Sequence, residues 1–368
     1  MAPEEKNISD KEEPPVIVPD DDAAQRSKGA FRRRLRLCLV LALLGLAGMA
    51  IAVCVCINHY VYTPMDEGGA AEVYVIRPGS GLAAVARDLE TSGLIRRALP
   101  VRVWASVKGY GGRIRAGEYL LSRRWSPARI LEAFVQGSVI QHSVTIPEGY
   151  TVDQIAALLQ ERDITEKRAF LALAQDPEFI RGYGLQEETL EGYLFPDTYL
   201  FNRDTPPRMV LDRLVGRFKE VAGPLQEAID ARGMSLHEVV TLASMVEKET
   251  GAAQERPLIA GVFLNRLERN MRLESDPTVI YGLKDFDGNL TRAHLGEPHA
   301  FNTYVIPGLP PGPIANPGGA SIRAVLYPAQ TSFLYFVSRN DGTHHFSKTY
   351  SEHVRAVARY QRAGRRAS

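Results

Sequence analysis

A run of 21 residues without a charged side chain, Leu37–Ile57, places the strongest constraint on the fold of this 368-residue chain. About 20 apolar residues in a helix are enough to span the hydrocarbon core of a bilayer. Six basic residues lie between Arg26 and Arg36, just before the run, whereas no Lys or Arg follows it until Arg77. By the positive-inside rule, this asymmetry predicts one transmembrane helix at residues 37–57 with a cytoplasmic N-terminus.

Two other interpretations of the run are a cleaved signal peptide and the core helix of a soluble protein. The run is longer than the usual apolar region of a signal peptide, and the residues after it, Asn58–Tyr62, are not the small residues of a cleavage site. Charge-free runs of this length are also rare in soluble proteins. Tyr60 and Tyr62 stand where the aromatic belt of a membrane helix would lie. These features favour an uncleaved anchor.

The composition excludes several classes of function. The 44 basic and 43 acidic residues nearly cancel, so bulk charge does not favour nucleic acid as a partner. All three cysteines lie in the run Leu37–Ile57, so neither a disulfide framework nor a cysteine-based zinc site is expected. The eight histidines form no His-Glu-x-x-His motif, and the chain has no glycine-rich phosphate loop. We therefore expect no metal site and no cofactor, which leaves carboxylates as the candidate catalytic groups.

The remaining patterns predict an α+β fold in two exported domains. Residues 1–36 are polar and rich in proline and acidic side chains, which predicts a disordered cytoplasmic tail. A short polar linker is expected at 58–72. Residues 73–139 have the pattern strand, helix, helix, strand, helix, typical of a small α+β module. Residues 140–362 are predicted to form a larger, mostly helical α+β domain, followed by a short tail at 363–368.

The small module at 73–139 resembles a LysM-like module. The matching features are its opening strand, the turn Pro78-Gly79-Ser80 and a helix that begins near Leu82. LysM modules bind the N-acetylglucosamine chains of peptidoglycan or chitin, so the resemblance implies a glycan-binding role. A domain that only packs against its neighbours would explain the same pattern.

The densest acidic spot on an otherwise apolar helix is the segment Leu242–Gly251. At 100° per residue, Glu247 lies about 70° from the centre of the apolar face on one side, and Glu249 lies about 90° from it on the other. Both carboxylates therefore border the buried stripe, and an apolar wall beside Glu249 would raise its pKa. Periodicity does not choose between the two, and two solvated carboxylates beside Lys248 explain the pattern as well.

Several strings, in order along residues 73–360, resemble one family, the membrane-anchored endolytic murein transglycosylases of the YceG-like group. Together they are far more specific than any single motif. They are Pro147-Glu-Gly-Tyr150, Leu190-Glu-Gly-x-x-Phe-Pro-Asp-Thr-Tyr199, Ala243-Ser-Met-Val-Glu-Lys-Glu-Thr250, Glu255-Arg, Val262-Phe-Leu-Asn-Arg-Leu267, Met271-Arg-Leu-x-Ser-Asp-Pro-Thr-Val-Ile-Tyr-Gly282, Phe301-Asn-Thr-Tyr304, Gly308-Leu-Pro-Pro-Gly312 and Ile314-Ala-Asn-Pro-Gly318.

The resemblance implies an enzyme that cleaves the MurNAc–GlcNAc β-1,4 bond inside peptidoglycan strands and leaves 1,6-anhydro-MurNAc ends. It places the catalytic acid at Glu249, the second Glu of Glu-x-Glu-Thr, and we expect a supporting role for Glu247. Substrate contacts are expected from polar and aromatic residues of the same strings: Asp276, Asn302, Thr303, Tyr304, Tyr281, Phe195 and Tyr199. Asp276 is expected to reach the cleft from an extended backbone, because it precedes Pro277.

The same resemblance implies a location and partners. We expect a single-pass protein of the cell inner membrane with a periplasmic catalytic domain that meets peptidoglycan glycan strands and cell-wall synthases and terminates nascent strands. Two other functions fit the residues: a non-catalytic peptidoglycan-binding scaffold, and a glycan hydrolase with two acids, Glu249 and Asp276. An intact Glu-Lys-Glu-Thr string favours an enzyme over a scaffold, and the chemical form of the product end separates the two enzymes.

Overall fold

The computed structural model describes residues 21–66, 68, 70–284 and 286–362, with side chains described from residue 33 to residue 361. The chain divides into two compact units. The first contains the residues up to Ala116 together with Leu120–Ser138, and the second contains Gly117–Tyr119 together with the chain from Val139 onward.

Helix α1 runs from Asp21 to Tyr62 and contains the apolar run. Within it, and within the part of the chain described, one 30-residue segment, Arg33–Tyr62, is long and apolar enough to cross a membrane. The helix corrects two boundaries. Residues 21–36 are helical rather than disordered, and the predicted linker 58–72 loses residues 58–62 to the helix. The rest of the predicted N-terminal tail, residues 1–20, and the predicted tail at 363–368 lie outside the described residues. Once nucleated, a helix gains one hydrogen bond per added residue, which favours extension at both ends.

The first unit has the order strand, helix, helix, strand, helix. Its strands, β1 (Ala71–Ile76) and β2 (Gly117–Ser122), pair in a two-stranded sheet. The helices are α2 (Leu82–Thr91), α3 (Ala98–Val107) and α4 (Pro127–Gln136). Local signals explain α4. The Ser126 side chain accepts a hydrogen bond from the Arg129 N–H at its start, and Gly137 ends it in the left-handed conformation that glycine adopts most readily.

The second unit is mostly helical, and its described residues form two small antiparallel sheets, one of β3 with β4 and one of β5 with β6. Its strands are β3 (His142–Thr145), β4 (Thr198–Phe201), β5 (Tyr335–Ser338) and β6 (His344–Ser347). Its helices are α5 (Val152–Glu161), α6 (Lys167–Ala174), α7 (Pro177–Arg181), α8 (Pro207–Ala222), α9 (Gln226–Arg232), α10 (Leu236–Glu249), α11 (Arg256–Glu268), α12 (Asp276–Gly282), α13 (Arg292–Gly296), α14 (Gly319–Leu326) and α15 (Tyr350–Val357).

Helix α10 lies at the centre of this unit and positions the acidic pair. Its eight residues from Val239 to Val246 are all buried, and it packs against α11, α12 and α14. A capping box of Ser235 and Glu238 fixes its start. Gly192, at φ 89°, lets a loop pass close to the helix, because a Cβ there would lie 2.5 Å from a Pro313 atom and 2.8 Å from a Val240 atom. The helix is therefore held on several sides while its C-terminal turn reaches the surface.

Candidate active site

Glu249 is the last residue of α10, and the residue is half-buried. The Ser275 hydroxyl donates a hydrogen bond of 2.6 Å to Glu249 Oε1. Burial raises the pKa of Glu249 to about 7; the negative charge of Asp276 acts in the same direction, and the Ser275 hydrogen bond opposes both. A carboxyl group with a pKa near neutrality can donate a proton and take one back, as a general acid and base must.

The loop that carries Ser275 is fixed in an uncommon backbone conformation. Glu274, which precedes Ser275, has a φ of 49°, a left-handed conformation that costs about 1 kcal/mol or more in a non-glycine residue. A buried Arg266 holds the turn, with an ion pair of 3.0 Å to the Glu274 carboxylate and hydrogen bonds to the carbonyls of Arg272 and Leu273. The serine that contacts the acid is therefore held by tertiary contacts rather than by local preference.

Asp276 begins helix α12, so the expected extended backbone is wrong. Ser275 before it is extended instead, and Pro277 is accepted because a proline in the first turn of a helix has no N–H to satisfy there. The Asp276 side chain is exposed, and its Oδ1 accepts a hydrogen bond of 2.6 Å from the Tyr304 hydroxyl. Burial and the Asp276 carboxylate raise the pKa of Tyr304 above its usual range. Asp276 and Tyr304 remain candidates for substrate contact.

Asn302 and Thr303 are fully buried, which contradicts the expectation that they contact sugar directly. The Asn302 amide donates to three backbone carbonyls, the shortest bond being 2.7 Å to Glu297, and its oxygen accepts from the Tyr304 N–H. The Thr303 hydroxyl accepts from the Ser275 N–H at 2.9 Å. Through these bonds, the two side chains hold Ser275 and Tyr304 in place. Their hydrogen-bonding groups already have partners within the protein.

Phe195 and Tyr199 belong to the hydrophobic core, so the expectation that they stack on sugar rings is wrong. Phe195 is 8% exposed and Tyr199 is 4% exposed. The Tyr199 hydroxyl donates 2.6 Å to the Phe195 carbonyl, and its ring stacks on Phe201 of the same strand. Alternation in β4 turns Tyr199 and Phe201 to the same buried face, which sequence spacing alone does not distinguish from a binding face.

Glu247 points away from Glu249 and forms an ion pair with Arg256 of α11 at 3.1 Å. Its other oxygen accepts a hydrogen bond of 3.0 Å from the Gly318 N–H, at the start of α14. The Glu247 side chain is only 7% exposed. Glu247 therefore connects three helices through its contacts, and its supporting role in the site stays a prediction.

A cleft of about 650 Å³ has Lys248 and Pro277 on its border, the chain neighbours of Glu249 and Asp276. Tyr281, Ile280 and Gln154 also line it. Tyr281 is partly exposed, as a ring that stacks on a sugar must be. A second cavity in this unit, of about 690 Å³, has Gly308, Leu309 and Pro310 in its lining.

A buried carboxyl group in the cleft, Glu191, has no counterpart among the predicted site residues. Its oxygens accept hydrogen bonds from the Asn316 side chain at 2.8 Å, the Val152 N–H at 3.1 Å and the Tyr281 hydroxyl at 3.3 Å. Burial raises the pKa of Glu191 to about 7, and these hydrogen bonds oppose the shift. An acid inside the apolar, aromatic-rich stretch around Leu190–Phe195 was the sequence signal for such a group.

The chain is similar to a known protein family, to several named relatives and to a solved structure. The profile of the YceG-like family matches residues 74–359. A Bacillus subtilis protein named endolytic murein transglycosylase is 30% identical over 314 residues, which cover 81% of this chain and 87% of that protein. A Streptococcus pneumoniae protein of the same name is 30% identical over 332 residues, and the match spans 60% of its length. A crystal structure of a YceG-like protein from Listeria monocytogenes has a TM-score of 0.55 and 32% identity, over 78% of this chain and 99% of that one.

Proposed function

This chain belongs to the YceG-like family, and we propose that it is a peptidoglycan lytic transglycosylase that cuts glycan strands internally, with Glu249 as its general acid and base. The bond cleaved is the β-1,4 linkage between MurNAc and GlcNAc, and the product end is 1,6-anhydro-MurNAc. The observation that carries the proposal is the Glu249 carboxyl group, with its pKa raised to about 7 and Ser275 fixing one oxygen.

The reaction needs only one titratable group. Protonated Glu249 donates its proton to the glycosidic oxygen as the bond from C1 of MurNAc to that oxygen breaks. The C6 hydroxyl of the same MurNAc residue then bonds to C1, and its proton passes to the Glu249 carboxylate, which restores the acid. An intramolecular nucleophile has a large effective molarity, so no second carboxylate is required to activate water.

Candidate groups for holding the sugar in place are Tyr281 in the cleft and two side chains near Glu249, Asp276 and Tyr304. Tyr281 offers a partly exposed ring, while Asp276 and Tyr304 offer an exposed carboxylate and a phenol joined by a 2.6 Å hydrogen bond. We infer that these three side chains contact the strand on either side of the bond that is cut. Polar groups beside an aromatic ring are the usual means by which proteins fix the orientation of a mixed polar and apolar ligand.

Mass spectrometry of the products of purified glycan strands tests the reaction. We expect anhydro ends, in fragments that show cleavage within strands. Reducing ends would instead indicate a hydrolase in which Asp276 serves as the second carboxylate. A protein that binds strands without cutting them would restore the scaffold hypothesis, which the enzymatic names of the relatives and the ordered contact of Ser275 with Glu249 weigh against.

We further propose a topology and a cellular role. Residues 37–57 anchor the chain in the inner membrane, residues 1–36 stay in the cytoplasm, and the catalytic unit acts in the periplasm next to newly made strands. Cutting nascent strands there would terminate their elongation, which brings cell-wall synthases within reach as partners. The span Arg33–Tyr62 and the basic residues on one side of the apolar run support this orientation.

A reporter that is active only outside the cytoplasm tests the orientation. Fused after Ser368, the reporter should be active, because six basic residues precede the apolar run and none directly follows it. The same reporter fused before Met1 should be inactive. The reverse pattern, measured at equal protein levels, would overturn the proposed localisation.

The LysM-like module at 73–139 is proposed to bind glycan, and its removal tests this. A shortened chain that begins at Gln141 should keep Glu249 but bind long strands more weakly than the full exported part. It also loses Glu118, which contacts His142 at 2.8 Å, so its melting temperature must be measured to confirm that it is folded. Equal binding and equal cutting by the folded, shortened chain would make the module a spacer.

A further inference from the structure

A small cavity lies where helix α1 ends and the rest of the first unit begins. Its volume is about 280 Å³, and its lining includes Cys56, His59, Tyr60, Met65, Ile95 and Arg96. Cys56 still belongs to the apolar run Leu37–Ile57. With α1 inserted in a bilayer, the cavity would lie at the depth where the hydrocarbon core meets the headgroups.

Helix α3 is fixed beside this cavity by contacts with the last turn of α1. The Tyr60 hydroxyl accepts a hydrogen bond from the Arg97 N–H and donates one to the Arg97 carbonyl at 3.1 Å. The ring of Tyr62 meets Trp104 of α3 edge to face, with centroids 5.9 Å apart. These contacts hold the start of α3 close to the end of the apolar run.

One face of α3 is apolar and exposed. Leu99 is 67% exposed, Val103 is 42% exposed and Val107 is 83% exposed. Their spacing of four residues places them in one row along the helix. Scattered exposed apolar residues are ordinary, but an aligned row beside a membrane span is not. Exposed cations stand beside this row, with Arg102 on the same helix and Arg96 just before it.

We propose that the row formed by Leu99, Val103 and Val107 inserts into the outer leaflet of the membrane, and that Arg96 and Arg102 contact the headgroups of anionic phospholipids. Apolar side chains flanked by Arg or Lys are the pattern by which a helix lies in the membrane interface. The basic side chains attract anionic lipid when they lie near the membrane surface. Such docking would hold the first unit at a fixed height above the bilayer. The inference depends on insertion of α1 but not on the proposed catalytic reaction.

Fluorescence quenching by lipids with brominated acyl chains tests the proposal on the full chain in vesicles. One variant, Leu99→Trp, places a reporter in the row. A matched control, Thr91→Trp, places one at an exposed position of α2, which packs on α3. Each variant is compared with the parent chain, whose two tryptophans set the background. Flotation of the vesicles shows separately whether α1 is inserted, and strand cleavage is measured in the same samples.

We expect the added signal of Leu99→Trp to be quenched at least about twofold more than that of Thr91→Trp, because only the former reaches the acyl region. Replacing neutral lipid with about 30 mol% phosphatidylglycerol should increase this quenching, and Arg96→Gln should reduce the increase. Equal quenching of the two reporters in a chain that floats with the vesicles would overturn the proposal. If the quenching changes neither with lipid charge nor with Arg96→Gln, the proposed headgroup contact is overturned. If the chain does not float with the vesicles, both this inference and the proposed anchor are overturned. The strand-cleavage measurement then still tests the proposed reaction.

Discussion

Glu249→Gln is expected to lower strand cleavage by about 10²- to 10⁴-fold, the usual contribution of a positioned acid–base group. Glutamine keeps the shape of the side chain and can still accept the hydrogen bond from Ser275, but it has no acidic proton to transfer to the leaving group. The measurement is the rate of product formation from purified strands at saturating and at low substrate. We expect the loss in kcat, because the missing proton transfer occurs in the transition state.

The Glu249→Gln variant should still fold. The pH dependence of its stability should differ from that of the parent chain, because the titrating carboxyl group is gone. The pKa of Glu249 is raised from 4.5 to about 7 in the folded chain. The contribution of Glu249 to stability is therefore fully present below about pH 4.5 and is lost as the pH rises through about 7. Glu249→Gln removes that dependence, so the variant should be at least as stable as the parent chain at pH 8, as measured by thermal unfolding.

The activity of the parent chain should follow the same group. Cleavage requires protonated Glu249, so kcat/KM should fall as the pH rises above about 7, by about tenfold per pH unit. One result would contradict the assignment of Glu249 as the catalytic acid. If Glu249→Gln remains active while a folded Glu247→Gln or Asp276→Asn is inactive, then the catalytic acid lies elsewhere.

Glu247→Ala is expected to have the opposite effect. It should lower the free energy of unfolding strongly while leaving the rate of strand cleavage per folded molecule nearly unchanged. The side chains of Glu247 and Arg256 are 7% and 15% exposed, and removing one partner of a buried ion pair typically costs about 3–5 kcal/mol. The lower end of that range applies here, because Arg256 keeps contacts with Glu148 at 3.3 Å and Ser321 at 3.1 Å. A loss of about 3 kcal/mol would lower the melting temperature by roughly 6–12 °C.

Glu247→Gln is the matched control for this prediction. It keeps the length of the side chain and can still accept from the Gly318 N–H, so it should cost less stability than alanine. The double substitution with Arg256→Gln should cost less than the sum of the two single ones, because the interaction that each removes is the same. Full additivity in thermal or denaturant unfolding would mean that the ion pair contributes nothing, and the connecting role assigned to Glu247 would be wrong.

These two glutamates illustrate what sequence and structure each contribute. Helical periodicity placed both carboxylates on the borders of the buried stripe, on opposite sides, because the angle between successive residues is a local property of the helix. The family resemblance favoured Glu249 over Glu247. The environment of each acid, however, comes from residues distant in sequence, Ser275 for Glu249 and Arg256 with Gly318 for Glu247.

The amino-acid sequence by itself determined a run long and apolar enough to span a membrane, most of the helices and the family. These depend on local quantities: hydropathy over about 20 residues, capping side chains such as Ser126 and Ser235, and the order of short motifs. The tertiary structure alone decided which polar and aromatic residues of the motifs face the cleft. Asn302, Thr303, Phe195 and Tyr199 are buried, because packing between distant segments, not local spacing, sets the side of an element that faces the core.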